Sequence, residues 1–151
     1  MLRVGESENA LQVLLVEDSP GDVRLTQEAF REANVNIHVA SDGVAAMAFL
    51  RNEGVYERSP RPDLILLDLN LPRMDGREVL ANIKADAALR MIPTVILTTS
   101  ESEADIVKSY ELQANCYLSK PVQLEAFDNL VKSINDFWLT KVKLPPQRSM
   151  P

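Results

Sequence analysis

Four short strings carry the residues of this chain that could do chemistry: Glu17 and Asp18 in LLVEDSPGD, Asp68 in LLDLNLPRMDG, Thr98 in ILTTS and Lys120 in YLSKP. Brought together, the three carboxylates would repel one another and push at least one pKa upward unless a cation stood between them. The donors are all oxygens, which suits hard Mg2+ better than zinc, with Mn2+ as a substitute. Such an ion keeps several waters and takes a phosphate oxygen as a further ligand. Set between Asp18 and Asp68, it would hold a phosphoryl group in line with an Asp68 oxygen and neutralise the charge that spreads over the transferring oxygens. Asp68 is then the nucleophile. Lys120 would bring a mobile positive charge to the phosphoryl from another side, and the Thr98 hydroxyl would donate to another of its oxygens.

Each residue has an ordinary reading as well. A strand-ending aspartate such as Asp68 commonly forms a turn through its side chain. Glu17-Asp18 before a helix is a favourable charge near a positive helix end, Thr98 a β-former and Lys120 a solvated loop cation. Ordinary causes do not require all of them to fall at the ends of successive strands, so the elements decide between the readings.

Apolar runs and helical patterns alternate five times, the signature of βαβ units around a parallel sheet, and the fold class is therefore α/β. LQVLLV (residues 11–16) is an unbroken apolar strand of the kind covered by helices on both faces. Ser19 is placed to cap the next helix, with Pro20 at its first position and Asp22 completing a capping-box-like pair. Val23, Thr26, Phe30 and Ala33 give that helix its inward stripe. NIHVAS predicts strand two, with His38 a packing or edge residue, and residues 43–52 helix two. NEGVYERSPRP is a polar loop leading to strand three, DLILLD. Residues 76–84 predict helix three, TVILT after Pro93 strand four, residues 104–112 helix four and CYLS strand five. The last helix carries the strongest stripe: Phe127, Leu130, Val131, Ile134, Phe137 and Trp138. In an open parallel sheet, ligands bind beyond the carboxyl ends of the strands, where the strand order reverses. Glu17 and Asp18 follow strand one, Asp68 closes strand three, Thr98 closes strand four and Lys120 follows strand five, so the polar residues gather at one edge.

The 151 residues are 46% apolar and 25% charged, a composition that folds and fits one domain. The expected division is an extension over 1–10, a domain over 11–142 that includes a long last helix, and a mobile tail over 143–151. The net charge of -6 repels phosphate backbones and anionic membranes, which argues against nucleic acid as a partner. No apolar run approaches the ~20 residues needed to span a bilayer, and the acidic start lacks the pattern of a signal peptide, so a cytoplasmic protein is expected. Cys116, the only cysteine, excludes an intrachain disulfide and reads as a buried inert thiol rather than a redox sensor.

In their order and separations the four strings closely resemble bacterial response-regulator receiver domains; Thr98 lies 30 and Lys120 52 positions beyond Asp68. The resemblance covers roughly residues 11–138. It implies a flavodoxin-like, doubly wound five-stranded parallel sheet of order 2-1-3-4-5, with Asp68 accepting a phosphoryl group from a histidine kinase. It also implies that Glu17, Asp18 and Asp68 hold Mg2+ together with a backbone carbonyl at Asn70. The family often has two aspartates where this chain has Glu17-Asp18, so Glu17 would act through water. Thr98 would then move toward the phosphoryl and Tyr117 rotate inward behind it, changing the surface of helix four, strand five and helix five in a population shift. The bond before Pro121 is usually cis in such domains. The implied chemistry is slow self-phosphorylation from small donors and self-dephosphorylation, not enzymatic turnover.

The NEGVYERSPRP loop, NCYLSKPV and the last helix with its Phe-Trp pair more narrowly resemble stand-alone regulators associated with cyanobacterial phytochrome kinases. That implies red or far-red light as input, a separate downstream protein as target, and a homodimer through the helix-four to helix-five face and the C-terminal segment. Phe137, Trp138 and Leu144 would serve that dimer or fold back on their own domain. Other functions fit less of the pattern. A haloacid-dehalogenase-type phosphatase needs a second carboxylate where Asn70 stands, which cannot shuttle a proton. A flavodoxin-like cofactor carrier needs a glycine- and hydroxyl-rich turn where EDSPGD stands. A degenerate receiver acting only as a scaffold would not need the full set of phosphorylation residues.

Overall fold

The computed structural model describes residues 10–146; the expected extension before residue 10 and the end of the expected tail lie outside the described residues. In the first strand, β1 (Leu11–Val16), Val13 and Leu15 point to one face and Leu14 and Val16 to the other, and all four are buried. A strand apolar on both faces needs cover on both, and the helices provide it. α1 (Pro20–Ala29) leads to β2 (Val35–Ala40), α2 (Gly43–Leu50) to β3 (Leu64–Leu67), and α3 (Gly76–Ala85) to β4 (Thr94–Thr98). α4 (Glu103–Glu111), β5 (Cys116–Ser119) and α5 (Leu124–Asp136) complete the chain of units.

All strand pairs are parallel, in the order β2-β1-β3-β4-β5. One core gathers Leu14, Val16, Ile65, Leu67 and Ile96 under α2 and α3, with Val79, Leu80 and Ile83 from α3. The opposite core gathers Val13, Leu15, Leu64, Leu66, Val95 and Leu97 with Phe30 after α1 and with Phe127, Val131 and Ile134 of α5. The strand order reverses between β1 and β3, which places the ends of those two strands side by side.

Departures from the sequence reading have local causes. α2 stops at Leu50 instead of residue 52, because Asn52 takes a left-handed φ of 55° and its amide donates to the carbonyls of Tyr56 and Ser59. That bond set and a short 3-10 turn, Gly54–Tyr56, organise the polar loop before β3. β3 loses both aspartates; Asp63 instead accepts from the Gln12 N–H at 2.8 Å and ties the start of β3 to β1. His38 bonds Gln12 through Nε2 at 2.7 Å, a packing role as expected. Cys116 is half-buried, and burial pushes its thiol up.

The largest departure is at the end of α5, expected to run on as one long helix with its stripe continuing through Phe137 and Trp138. Phe137–Lys141 is a π-helical segment, closed by the Val142 N–H on the Phe137 carbonyl at 2.9 Å. The wider turn breaks the stripe: Trp138 and Leu139 stay against the core, whereas Phe137 is 55% exposed. Leu144 is half-buried and shares a hollow of about 340 Å³ with Leu11, Asp63 and Val142 of its own domain. None of the described peptide bonds is cis, so the bond before Pro121 is trans, against the form the resemblance implies. The two X-Pro forms differ by only about 0.5–1 kcal/mol before tertiary contacts act. No helix among the described residues is long and apolar enough to cross a membrane.

Candidate functional site

β1 ends at Val16, and the next two residues put their carboxylates at the strand-order reversal. Glu17 is buried, Asp18 exposed, and Asp68, following β3, is 7% exposed. One oxygen from each of the three lies within 4.8 Å of the others. The floor beneath them is tight. A Cβ on Gly76 would stand 2.2 Å from the Asp68 carbonyl oxygen, so only glycine lets α3 start against the Asp68 backbone. The Asn70 N–H donates to Asp68 Oδ1 at 3.2 Å and fixes that carboxylate from the loop side.

Lys120 follows β5, and its own N–H remains on the Thr98 carbonyl at 2.7 Å. Its side chain is only 4% exposed, not the solvated loop cation of the ordinary reading. Nζ donates to Glu17 Oε1, to Asp22 Oδ2 at 2.9 Å and to Asp68 Oδ2 at 3.0 Å. Burial pushes the Glu17 carboxyl up to about 7 against the pull of Lys120. Burial also pulls the Lys120 ammonium down, but its bonds to Glu17 and Asp22 and the charge of Asp68 more than offset this and hold it above its ordinary value. Three carboxylates around one ammonium, with Asp18 beside them, leave the edge negative, and the donor set is all oxygen. That chemistry fits a hard divalent cation.

On β4, Thr98 is fully buried, and its Oγ1 has no hydrogen-bond partner. A buried hydroxyl left unpaired costs about 1–3 kcal/mol, which suits a group that receives an anion. Tyr117 on β5 is half-buried, and its hydroxyl donates to the Ser100 carbonyl at 2.9 Å. Thr98, Ser100 and Tyr117 are therefore linked through the segment between β4 and α4.

Sequence reasoning missed what holds that segment. Arg77 of α3 grips Asp105 of α4 with two bonds, Nε to Oδ1 at 2.9 Å and Nη2 to Oδ2 at 2.7 Å. The Ser100 hydroxyl donates to the same Asp105 carboxylate at 2.6 Å. Arg77 and Ser100 together hold the Asp105 carboxyl below its usual range. Nothing local pointed to it, because Asp75 at the start of α3 already gives Arg77 a carboxylate, Oδ1 lying 2.9 Å from Nη1.

Asp22 was also misread. Ser19 Oγ accepts from the Asp22 N–H at 3.3 Å as expected, but the reciprocal half of a capping box does not form. The Ser19 N–H goes to Glu17 Oε2 at 3.1 Å, and the Asp22 carboxylate turns to Lys120.

The chain matches the family model described as response regulator receiver domain over residues 13–134. It is 52% identical over 142 residues to Response regulator Rcp1 of Synechocystis sp., covering 93% of this chain and 97% of that protein. The crystal structure of the Mn(2+)-bound form of Rcp1 is similar with a TM-score of 0.87, covering 90% of this chain and 99% of that one at 52% identity. The phosphorylated cyanobacterial phytochrome response regulator RcpA is similar with a TM-score of 0.89 and 49% identity, covering 91% and 99%.

Proposed function

The chain belongs to the response regulator receiver domain family, and from that premise we propose that Asp68 is its phosphoacceptor and a histidine kinase its donor. The observation that carries this is a buried Asp68 carboxylate joined at 3.0 Å to the Lys120 ammonium, beside the carboxylates of Glu17 and Asp18. An Asp68 oxygen attacks phosphorus as the bond to the donor's imidazole nitrogen breaks, and the electron pair leaves with that nitrogen. Asp18, Asp68 and the Asn70 carbonyl, with Glu17 through water, would hold Mg2+, which would supply charge neutralisation for the transferring oxygens. Lys120 moves from Glu17 and Asp68 to a phosphoryl oxygen, and the Thr98 hydroxyl donates to another.

Thr98 moving toward the phosphoryl draws on the segment that ends at Ser100, where Tyr117 and Asp105 are attached. The Arg77–Asp105–Ser100 network holds that segment in its resting position, and the acyl phosphate favours the other. Tyr117 then turns inward, and the face of α4, β5 and α5 changes for a downstream protein.

The likeness to RcpA supports a cyanobacterial phytochrome as the kinase, and the receiver, taken as residues 11–142, acts in the cytoplasm. Phe137, Val107, Tyr110, Val122 and Leu124 are exposed apolar residues of α4 and the α5 region and support a homodimer through that face. Trp138 and Leu144 lie against their own domain and contribute to that face only indirectly.

Incubation with Mg2+ and acetyl phosphate, followed by intact mass, tests the acceptor. One phosphoryl adduct is expected on the native chain and none on Asp68→Asn; the absence of the first or the survival of the second rejects the assignment. Slow loss of the adduct after removal of the donor is the expected self-dephosphorylation.

A further inference from the structure

An ammonium has three N–H donors, and those of Lys120 end on three different carboxylates, Glu17, Asp22 and Asp68. If Asp68 is the phosphoacceptor, two of these partners change during transfer. Glu17 would face the metal when it is bound, and Asp68 would commit an oxygen to phosphorus. Asp22 does neither. It sits in the first turn of α1, its N–H on the Ser19 hydroxyl and its carbonyl accepting from Thr26 Oγ1 at 2.8 Å, so its backbone is fixed on both sides. Its side chain reaches Lys120 from the helix, while Glu17, Asp18 and Asp68 follow strand ends.

We infer that Asp22 is a positioning residue for phosphoryl transfer: its carboxylate anchors the Lys120 ammonium at the site while Glu17 and Asp68 release it, leaving two N–H groups to turn to the phosphoryl oxygens. This rests on the phosphoacceptor role of Asp68. A lysine side chain without the anchor would have to be ordered again at each transfer, and a reacting group held in place converts that loss of freedom into rate. Asp22 touches neither donor nor acceptor and acts only through Lys120.

Acetyl phosphate titrations at saturating Mg2+, read by intact mass, separate the maximal rate from the half-saturating donor concentration. Asp22→Ala is expected to lower the maximal rate about three- to tenfold with half-saturation nearly unchanged. Asp22→Asn, which retains an oxygen acceptor, should recover most of that loss. In a Lys120→Gln background Asp22→Ala should have no further effect, the mark of a residue that acts through its partner. A native rate in Asp22→Ala, or the same loss with and without Lys120, overturns the inference. If the native chain takes no phosphoryl, or Asp68→Asn takes as much, the phosphoacceptor reading itself has failed and the anchor falls with it.

Discussion

Burial pushes the Glu17 carboxyl up to about 7, so a metal taken up there would displace a proton. The folded value lies above the ordinary 4.5, and between the two the folded chain binds more protons than the unfolded one. The stability that Glu17 contributes is therefore full below the lower value and declines as pH rises toward the upper. Metal binding runs the other way: Mn2+ affinity, measured by calorimetry, should climb by up to about tenfold per pH unit below 7 and level off above it. Glu17→Gln should flatten that slope, and a slope unchanged in the variant would exclude Glu17 as its source. Thr98 makes a second case. Its unpaired hydroxyl serves no resting-state bond, so Thr98→Val should leave stability level or raise it by about 1 kcal/mol in urea, while weakening beryllofluoride binding. A clear loss of stability would mean that the hydroxyl is paired at rest. Glu17, Asp18, Asp68, Thr98 and Lys120 were legible because strand-end position and residue type agree. Asp22 was not, because a local capping pattern accounted for it without reference to Lys120, 98 positions away.

At the scale of elements, the contact between α3 and α4 rests on Arg77 and Asp105, 28 positions apart, and no local pattern announces such a pair. Asp105→Asn should cost roughly 1 kcal/mol, since both side chains are partly exposed. It should also speed phosphorylation by acetyl phosphate, because the resting position of the β4–α4 segment loses its hold. A variant that is destabilised yet no faster would make the network structural only. The depressed Asp105 carboxyl contributes stability above its unfolded pKa and loses it as pH falls through the lower folded value. α5 teaches a different lesson. Its stripe located the buried residues correctly through Ile134, but a period of 3.6 cannot foresee a π turn, and Phe137 emerged at the surface. Trp138→Ala should cost roughly 2 kcal/mol through lost packing, against about 0.5 kcal/mol or less for Phe137→Ser, both by urea denaturation. If Phe137 joins a second copy, sedimentation of Phe137→Ser should show a shift toward monomer; a native profile would place the contact elsewhere.

For the whole molecule, the alternation of apolar runs was enough to predict a parallel sheet, whereas the strand order came only with the family resemblance. Five strands admit many orders with the same local patterns; which pairs form is decided by long-range packing between the two cores. The order matters because only the adjacency of β1 and β3 brings Glu17 and Asp18 to Asp68. Lys120 then gives the domain something further: the acidic edge carries its own counter-ion as part of the polypeptide. A divalent cation taken up there would share its carboxylates with a tethered ammonium rather than fill a bare anionic hole. Because Lys120 already balances the metal-free edge, EDTA should leave the chain folded, lowering the melting temperature only by the linkage of metal binding, while silencing phosphorylation. A domain so arranged can wait, fully folded, through any scarcity of metal, with its readiness to receive a signal governed separately from its persistence as a structure.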